Sequence, residues 1–182
     1  MDVTIAPPGP ADAQEFIDAT RASRELHQPW LFPPATRDQY DAYLARASRE
    51  DYAVYLIRHA GCGRLAGYVT ISNIVRGALQ SGYAGYGAFA GHEGRGLMTQ
   101  GLGAVLDEVF GPLRLHRVEA NIQPENEPSI ALVRRLGFTR EGLSRRYLMV
   151  DGAWRDHERW AMLSETWYQA RARSATWSPT NE

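Results

Sequence analysis

From Ser81 to Phe110 the chain reads SGYAGYGAFAGHEGRGLMTQGLGAVLDEVF, a glycine-rich strand, a glycine loop and an amphipathic helix in direct succession. Leu97, Met98, Leu102, Val105, Leu106 and Val109 recur on one helical face, and Gly111-Pro112 ends the helix. Each interior glycine costs a helix about 1 kcal/mol relative to alanine. A segment that carries this cost repeatedly needs bare backbone. Strand, Gly-x-Gly and helix together aim free N–H groups and the positive end of a helix dipole at an anion. Gly94 and Gly96 let phosphate oxygens approach where a Cβ would block them, and Arg95 adds a mobile positive charge. An ordinary turn is the competing reading of the same residues. The segment is not a Walker loop, because no Gly-Lys-Ser/Thr follows, nor a dinucleotide fingerprint, because Thr99 stands where the third glycine belongs.

The flanking segments set the architecture. VTIA is a short strand stopped by Pro7, Pro8 and Pro10, and helical spacing predicts a helix from Ala11 to about His27. HQPWLFPP is a loop whose Trp30 and Phe32 serve either as a substrate wall or as core plugs. A second helix is expected over 36–49 with Thr36 as N-cap. The period then changes to two. YAVYLIRH and RLAGYVTISNIV flank AGCG as a hairpin, and SGYAGYGAFA is the third strand of the run. Glycine inside a strand marks close approach of a ligand or another backbone. LHRVEANIQ is a further strand, followed by the helix NEPSIALVRRLGF, with Asn126 as N-cap and Gly137-Phe138 as a Schellman stop. Asp151-Gly152 joins the last two strands as a tight hairpin. The expectation is one mixed α/β domain over residues 1–168, a mostly antiparallel sheet flanked by helices, with a loosely held tail over 169–182.

Composition excludes several functions. Twenty basic residues, all arginine, against 21 acidic ones leave a net charge of -1, so no global basic field speaks for direct nucleic-acid binding. Cys62 is the only cysteine, and the five histidines lack ligand spacing, so neither a disulfide nor a metal is expected. No apolar run reaches the eighteen or so residues of a membrane span, and the first residues do not read as a signal peptide. No membrane association is expected, and the expected compartment is the cytoplasm.

GHEGRGLMTQGL followed by QPENEPSIALVRRLGF resembles the GNAT superfamily of acetyl-CoA-dependent N-acetyltransferases, and the element order extends the resemblance over nearly the whole chain. QPWLFPP and RRYLMVDGAWRDHERWAM look most like the Rim-type ribosomal-protein-alanine N-acetyltransferases. The resemblance implies a splayed sheet, acetyl-CoA as co-substrate, and a protein or peptide N-terminus as amine acceptor, in a monomer or homodimer. A small amine such as an antibiotic or polyamine is the rival acceptor. A non-catalytic CoA-binding module is the other alternative. The family's pyrophosphate loop maps onto Gly91 to Gly96, with Gly91 replacing its usual Gln or Arg, and implies cofactor contacts from Gly94, Arg95, Gly96, Leu97 and Met98. Ala88 and Phe89 are implied to hold the pantetheine amides through backbone, with N–H groups near Phe89 polarising the thioester. Asn126 and Ser129 match the family's Asn-x-x-Ser, one holding the arm and the other near the sulfur, although both residues also suit a helix cap. Ser129 is then the expected acid for the thiolate, with Tyr147 second. For the base, YAGYGAFA offers no carboxylate, which leaves Glu119, or Asp156 and His157. Trp30, Phe32 and His157 are the expected acceptor contacts.

Overall fold

The computed structural model describes residues 2–176, with side-chain surroundings through residue 173. Strands β1 (Val3–Ala6), β2 (Ala53–His59), β3 (Leu65–Val75), β4 (Ser81–Ala88), β5 (Arg117–Ile122), β6 (Thr139–Val150) and β7 (Ala153–Leu163) form one sheet. Their order is β1-β2-β3-β4-β5-β7-β6, and only β4 and β5 pair in parallel. The mixed, mostly antiparallel α/β architecture agrees with the expectation from sequence.

Helices α1 (Ala13–Ala22), α2 (Arg24–His27) and α3 (Arg37–Ala47) cover one face. Phe16, Tyr40, Tyr43, Tyr68 and Phe89 make an aromatic core there, with Phe16 5.3 Å from Phe89 in edge-to-face contact. Helices α4 (Leu97–Phe110) and α5 (Glu127–Leu136) cover the other face, over Ile57, Val69, Ile71, Val118 and Met162. Sequence periodicity suggests one helix through His27, but the chain breaks at buried Ser23. Its Oγ donates back to the Ala19 carbonyl at 2.6 Å and accepts the Ala90 N–H at 2.8 Å, tying the end of β4 to the break.

Two stop signals work as their residues suggest. Gly137 at φ 88° ends α5, with Phe138 N–H on Val133 and Gly137 N–H on Arg134, the Schellman pattern. Asp151 (φ 49°) and Gly152 (φ 72°) both adopt left-handed backbone in the β6–β7 turn. The tail expected from residue 169 instead continues helix α6 (Ser164–Thr176). Buried Trp167 anchors it, its Nε1 donating to Asp107 at 2.8 Å while Arg171 pairs with the same carboxylate. Residues 177–182 lie outside the described residues.

Candidate active site

The site begins where β4 and β5 part. Their pairing covers only Ser81↔Arg117, Gly82↔Val118 and Tyr83↔Glu119, after which β4 runs on to Ala88 against β3 alone. Antiparallel backbone groups alternate between partner and opposite edge. Phe89 N–H donates to Ala66 at 2.9 Å, so Phe89 faces β3, and the register turns the polar groups of Ala84, Tyr86 and Ala88 toward the gap. This corrects the expectation for Phe89. Its N–H is committed to the sheet and its side chain is buried in the aromatic core. Tyr86, which the sequence reading overlooked, takes its place on the open edge beside Ala88. The Ala88 carbonyl already accepts from Nε2 of buried His27 at 2.7 Å. Burial holds that imidazole's pKa below its ordinary value, so it is neutral at pH 7.

A cavity of about 560 Å³ runs along this edge to the start of α4. Gly91, Gly94 and Gly96 all have positive φ, at 85°, 70° and 74°, and a Cβ on any of them would meet open space. The loop thus needs glycine for its conformation as much as for access. Gly96 is the N-cap of α4, no side chain caps it, and no acidic residue lies in the first turn. The first-turn N–H groups around Leu97 and Met98 accordingly face the cavity without a counter-charge on their helix. Glu93 accepts the Gly91 N–H at 2.8 Å, which leaves the later loop amides for a ligand. Burial first, then the nearby Arg64 and Arg95 cations, lowers the His92 pKa, against the opposing pull of Glu93.

At the other end a smaller slot of about 70 Å³ opens between the strands. Tyr86, Asn126, Ser129 and Trp30 line both spaces, so the two adjoin at the splay. The Asn126 side chain accepts from the Ser129 backbone N–H at 3.3 Å and so caps α5. The Ser129 hydroxyl plays no part in that cap and meets Tyr86 Oη at 2.8 Å instead. Burial pushes the Tyr86 phenol well above its ordinary value, so it stays protonated throughout neutral and mildly alkaline pH.

The remaining candidates separate. Trp30 and buried His157 line the slot, whereas Phe32 is 53% exposed and lines neither space. Glu119 is held by Arg117 Nε at 2.7 Å and lies outside both cavities, so the structure does not present it as a base. Asp156 accepts the Arg146 N–H at 2.7 Å, where the β6 strand bulges. Tyr147 packs edge-on to His157 at 6.3 Å and lines neither space. Arg95 is exposed on the loop. Among the described residues no group of three metal-ligating side chains gathers, and no helix is long and apolar enough to cross a membrane.

The model of the acetyltransferase (GNAT) domain matches residues 2–139. The chain is 35% identical over 170 residues to probable N-acetyltransferase YjcK of Bacillus subtilis, covering 89% of this chain and 94% of that one. It is 37% identical over 107 residues to the [ribosomal protein uS5]-alanine N-acetyltransferase of Escherichia coli, covering 59% of this chain and 55% of that enzyme. Among solved structures, Mycobacterium smegmatis RimJ in complex with CoA-disulfide superimposes with a TM-score of 0.83 at 31% identity, covering 94% of this chain and 89% of that one.

Proposed function

This chain belongs to the acetyltransferase (GNAT) family, whose members use acetyl-CoA, and we propose that its acceptor is the N-terminal α-amine of a protein, a ribosomal protein first among them. One observation carries the acceptor class. No carboxylate lines the slot where the amine would enter; its wall is Trp30, Leu31, Ile122, small residues of β4 and β5, and phenol, hydroxyl, amide and imidazole groups. A polyamine would bring several charges into a space with no counter-charge, at a desolvation cost that a single neutral amine avoids.

Acetyl-CoA supplies the acetyl group as a thioester, and the chain's residues fit it along the whole groove. Gly94, Arg95, Gly96, Leu97 and Met98 hold the pyrophosphate through backbone amides at the α4 terminus. The open edge of Tyr86 and Ala88 continues β4 against the pantetheine amides, and an N–H of that edge polarises the carbonyl. Asn126 and Ser129 stand beside the arm at the start of α5. The attacking amine forms its bond to the acetyl carbon and releases one proton to solvent, while the carbon–sulfur bond breaks. A thiol titrates near 8.5, far below the Tyr86 phenol, so the Ser129–Tyr86 pair stabilises the leaving sulfur by hydrogen bonding, and solvent supplies its final proton.

Substituting Ser129→Ala leaves the Asn126 cap intact and removes only the hydroxyl. A fall in kcat of tenfold or more is expected, about 1.4 kcal/mol, with acetyl-CoA affinity within a few-fold. A change confined to melting temperature would assign Ser129 to structure alone.

Acceptor class is tested by competition among a lysine-free alanine-starting peptide, its N-blocked form and spermidine, with thiol release as the readout. The free peptide is expected to win. An α-amine with pKa near 8 is about one-tenth neutral at pH 7, so the rate should climb with pH through that value. Because burial raises the Tyr86 pKa, its donor form persists and no decline should follow below about pH 10. Preference for spermidine would move the chain to the small-amine acetyltransferases.

A further inference from the structure

Four buried side-chain polar atoms among the described residues have no hydrogen-bond partner: Thr20 Oγ1, His27 Nδ1, His92 Nδ1 and Asn121 Oδ1. Only Asn121 lies in the acceptor slot. It sits on β5 two residues past the last β4–β5 pair, where the strands have parted. An amide carbonyl buried without a donor costs a folded protein roughly 1–3 kcal/mol, and most buried polar atoms of native structures have a partner. Three other polar side chains of the slot have partners within the protein. Ser129 bonds Tyr86, Asn126 caps α5, and His157 Nδ1 lies 3.0 Å from the Arg155 carbonyl.

We propose that Asn121 Oδ1 is a positioning group for the acceptor, taking a hydrogen bond from one N–H of the incoming primary amine and so turning the nitrogen lone pair toward the acetyl carbon. This inference rests on the acceptor slot assigned above. A neutral acceptor suits the task. It holds an N–H of the uncharged amine without raising the amine's pKa as a carboxylate would, so the reactive form is not depleted. The same chemistry explains a site that does without an acidic residue: the group needed is one that orients a neutral amine, not one that binds a cation.

The test compares Asn121→Leu, which keeps volume and loses the acceptor, with Asn121→Asp, which keeps an acceptor oxygen. For the leucine variant, kcat/KM for the amine should fall tenfold or more while acetyl-CoA affinity and melting temperature hold or improve, since an unpaired polar atom is gone. The aspartate variant should stay within a few-fold of wild type at pH 8.5, with its rate–pH limb displaced to higher pH. Unchanged turnover in the leucine variant overturns the proposal. So does lost acetyl-CoA affinity or a lowered melting temperature, which would make Asn121 structural, and so does an aspartate variant as impaired as leucine. Each comparison uses whichever amine wild type prefers, alanine peptide or spermidine. A wrong acceptor class therefore shows in wild type alone, and a wrong role for Asn121 only in the variants.

Discussion

Replacing Gly96 with valine should raise the acetyl-CoA dissociation constant at least tenfold, about 1.4 kcal/mol. Two effects add. At φ 74° a side chain with a Cβ is strained by roughly 1–2 kcal/mol, and a β-branched one by more. The protein offers no clash, because nothing lies within 4 Å of the added Cβ, so the new methyl groups project into the space that an anion must cross. Strain and obstruction are separable with Gly77→Val. Gly77 has φ 70° and equally open surroundings, but it sits in the turn between β3 and β4, outside the cavity. Titration calorimetry on both variants should find weakened acetyl-CoA binding only at Gly96. Equal affinities in two folded variants would remove the loop from the cofactor site.

The second large effect concerns stability, and it comes from a glycine in the same segment with a different task. A Cβ at Gly101 would lie 2.4 Å from Ile57 Cδ1 and 2.8 Å from both its γ carbons. Ile57 is fully buried in the sheet, and α4 cannot retreat because Leu102, Val105, Leu106 and Val109 are all fully buried against the same core. Gly101→Val should therefore cost about 3 kcal/mol, at the upper end for overpacking, and lower the melting temperature by roughly 6–12 °C. Gly101→Ala should cost less, because about 1 kcal/mol of helix propensity offsets part of the clash. Gly103 gives the internal contrast. Its added Cβ would sit 3.5 Å from Trp167, an ordinary contact, so Gly103→Ala should hold or gain up to about 1 kcal/mol. A double variant with Ile57→Val should recover part of the Gly101→Val loss, as coupled neighbours do. Additive losses would mean that α4 does not press on Ile57.

The sequence carries much of this design. Period-two runs, the helical face from Leu97 to Val109, the Thr36 cap, the Gly137 stop and the Asp151-Gly152 turn are local signals, decided within a few residues of chain, and each element formed where it was expected. The glycine loop before α4 was legible for the same reason. Only tertiary structure could sort its glycines, because Gly96 answers to its own backbone conformation whereas Gly101 answers to Ile57, forty-four residues earlier. Register decided the rest. It spends the Phe89 N–H on Ala66 and turns Tyr86 toward Ser129 across 43 residues of chain. It also leaves the Asn121 oxygen without a partner beside the last strand pair. Glu119, a candidate base in the sequence, pairs with Arg117 two residues earlier on the same strand, and Glu141 of β6 holds that arginine from across the sheet. Local propensity fixes which element a residue joins, but hydrogen-bond partners, charge pairing and burial are set by residues distant in sequence, and those are the properties from which this site is built.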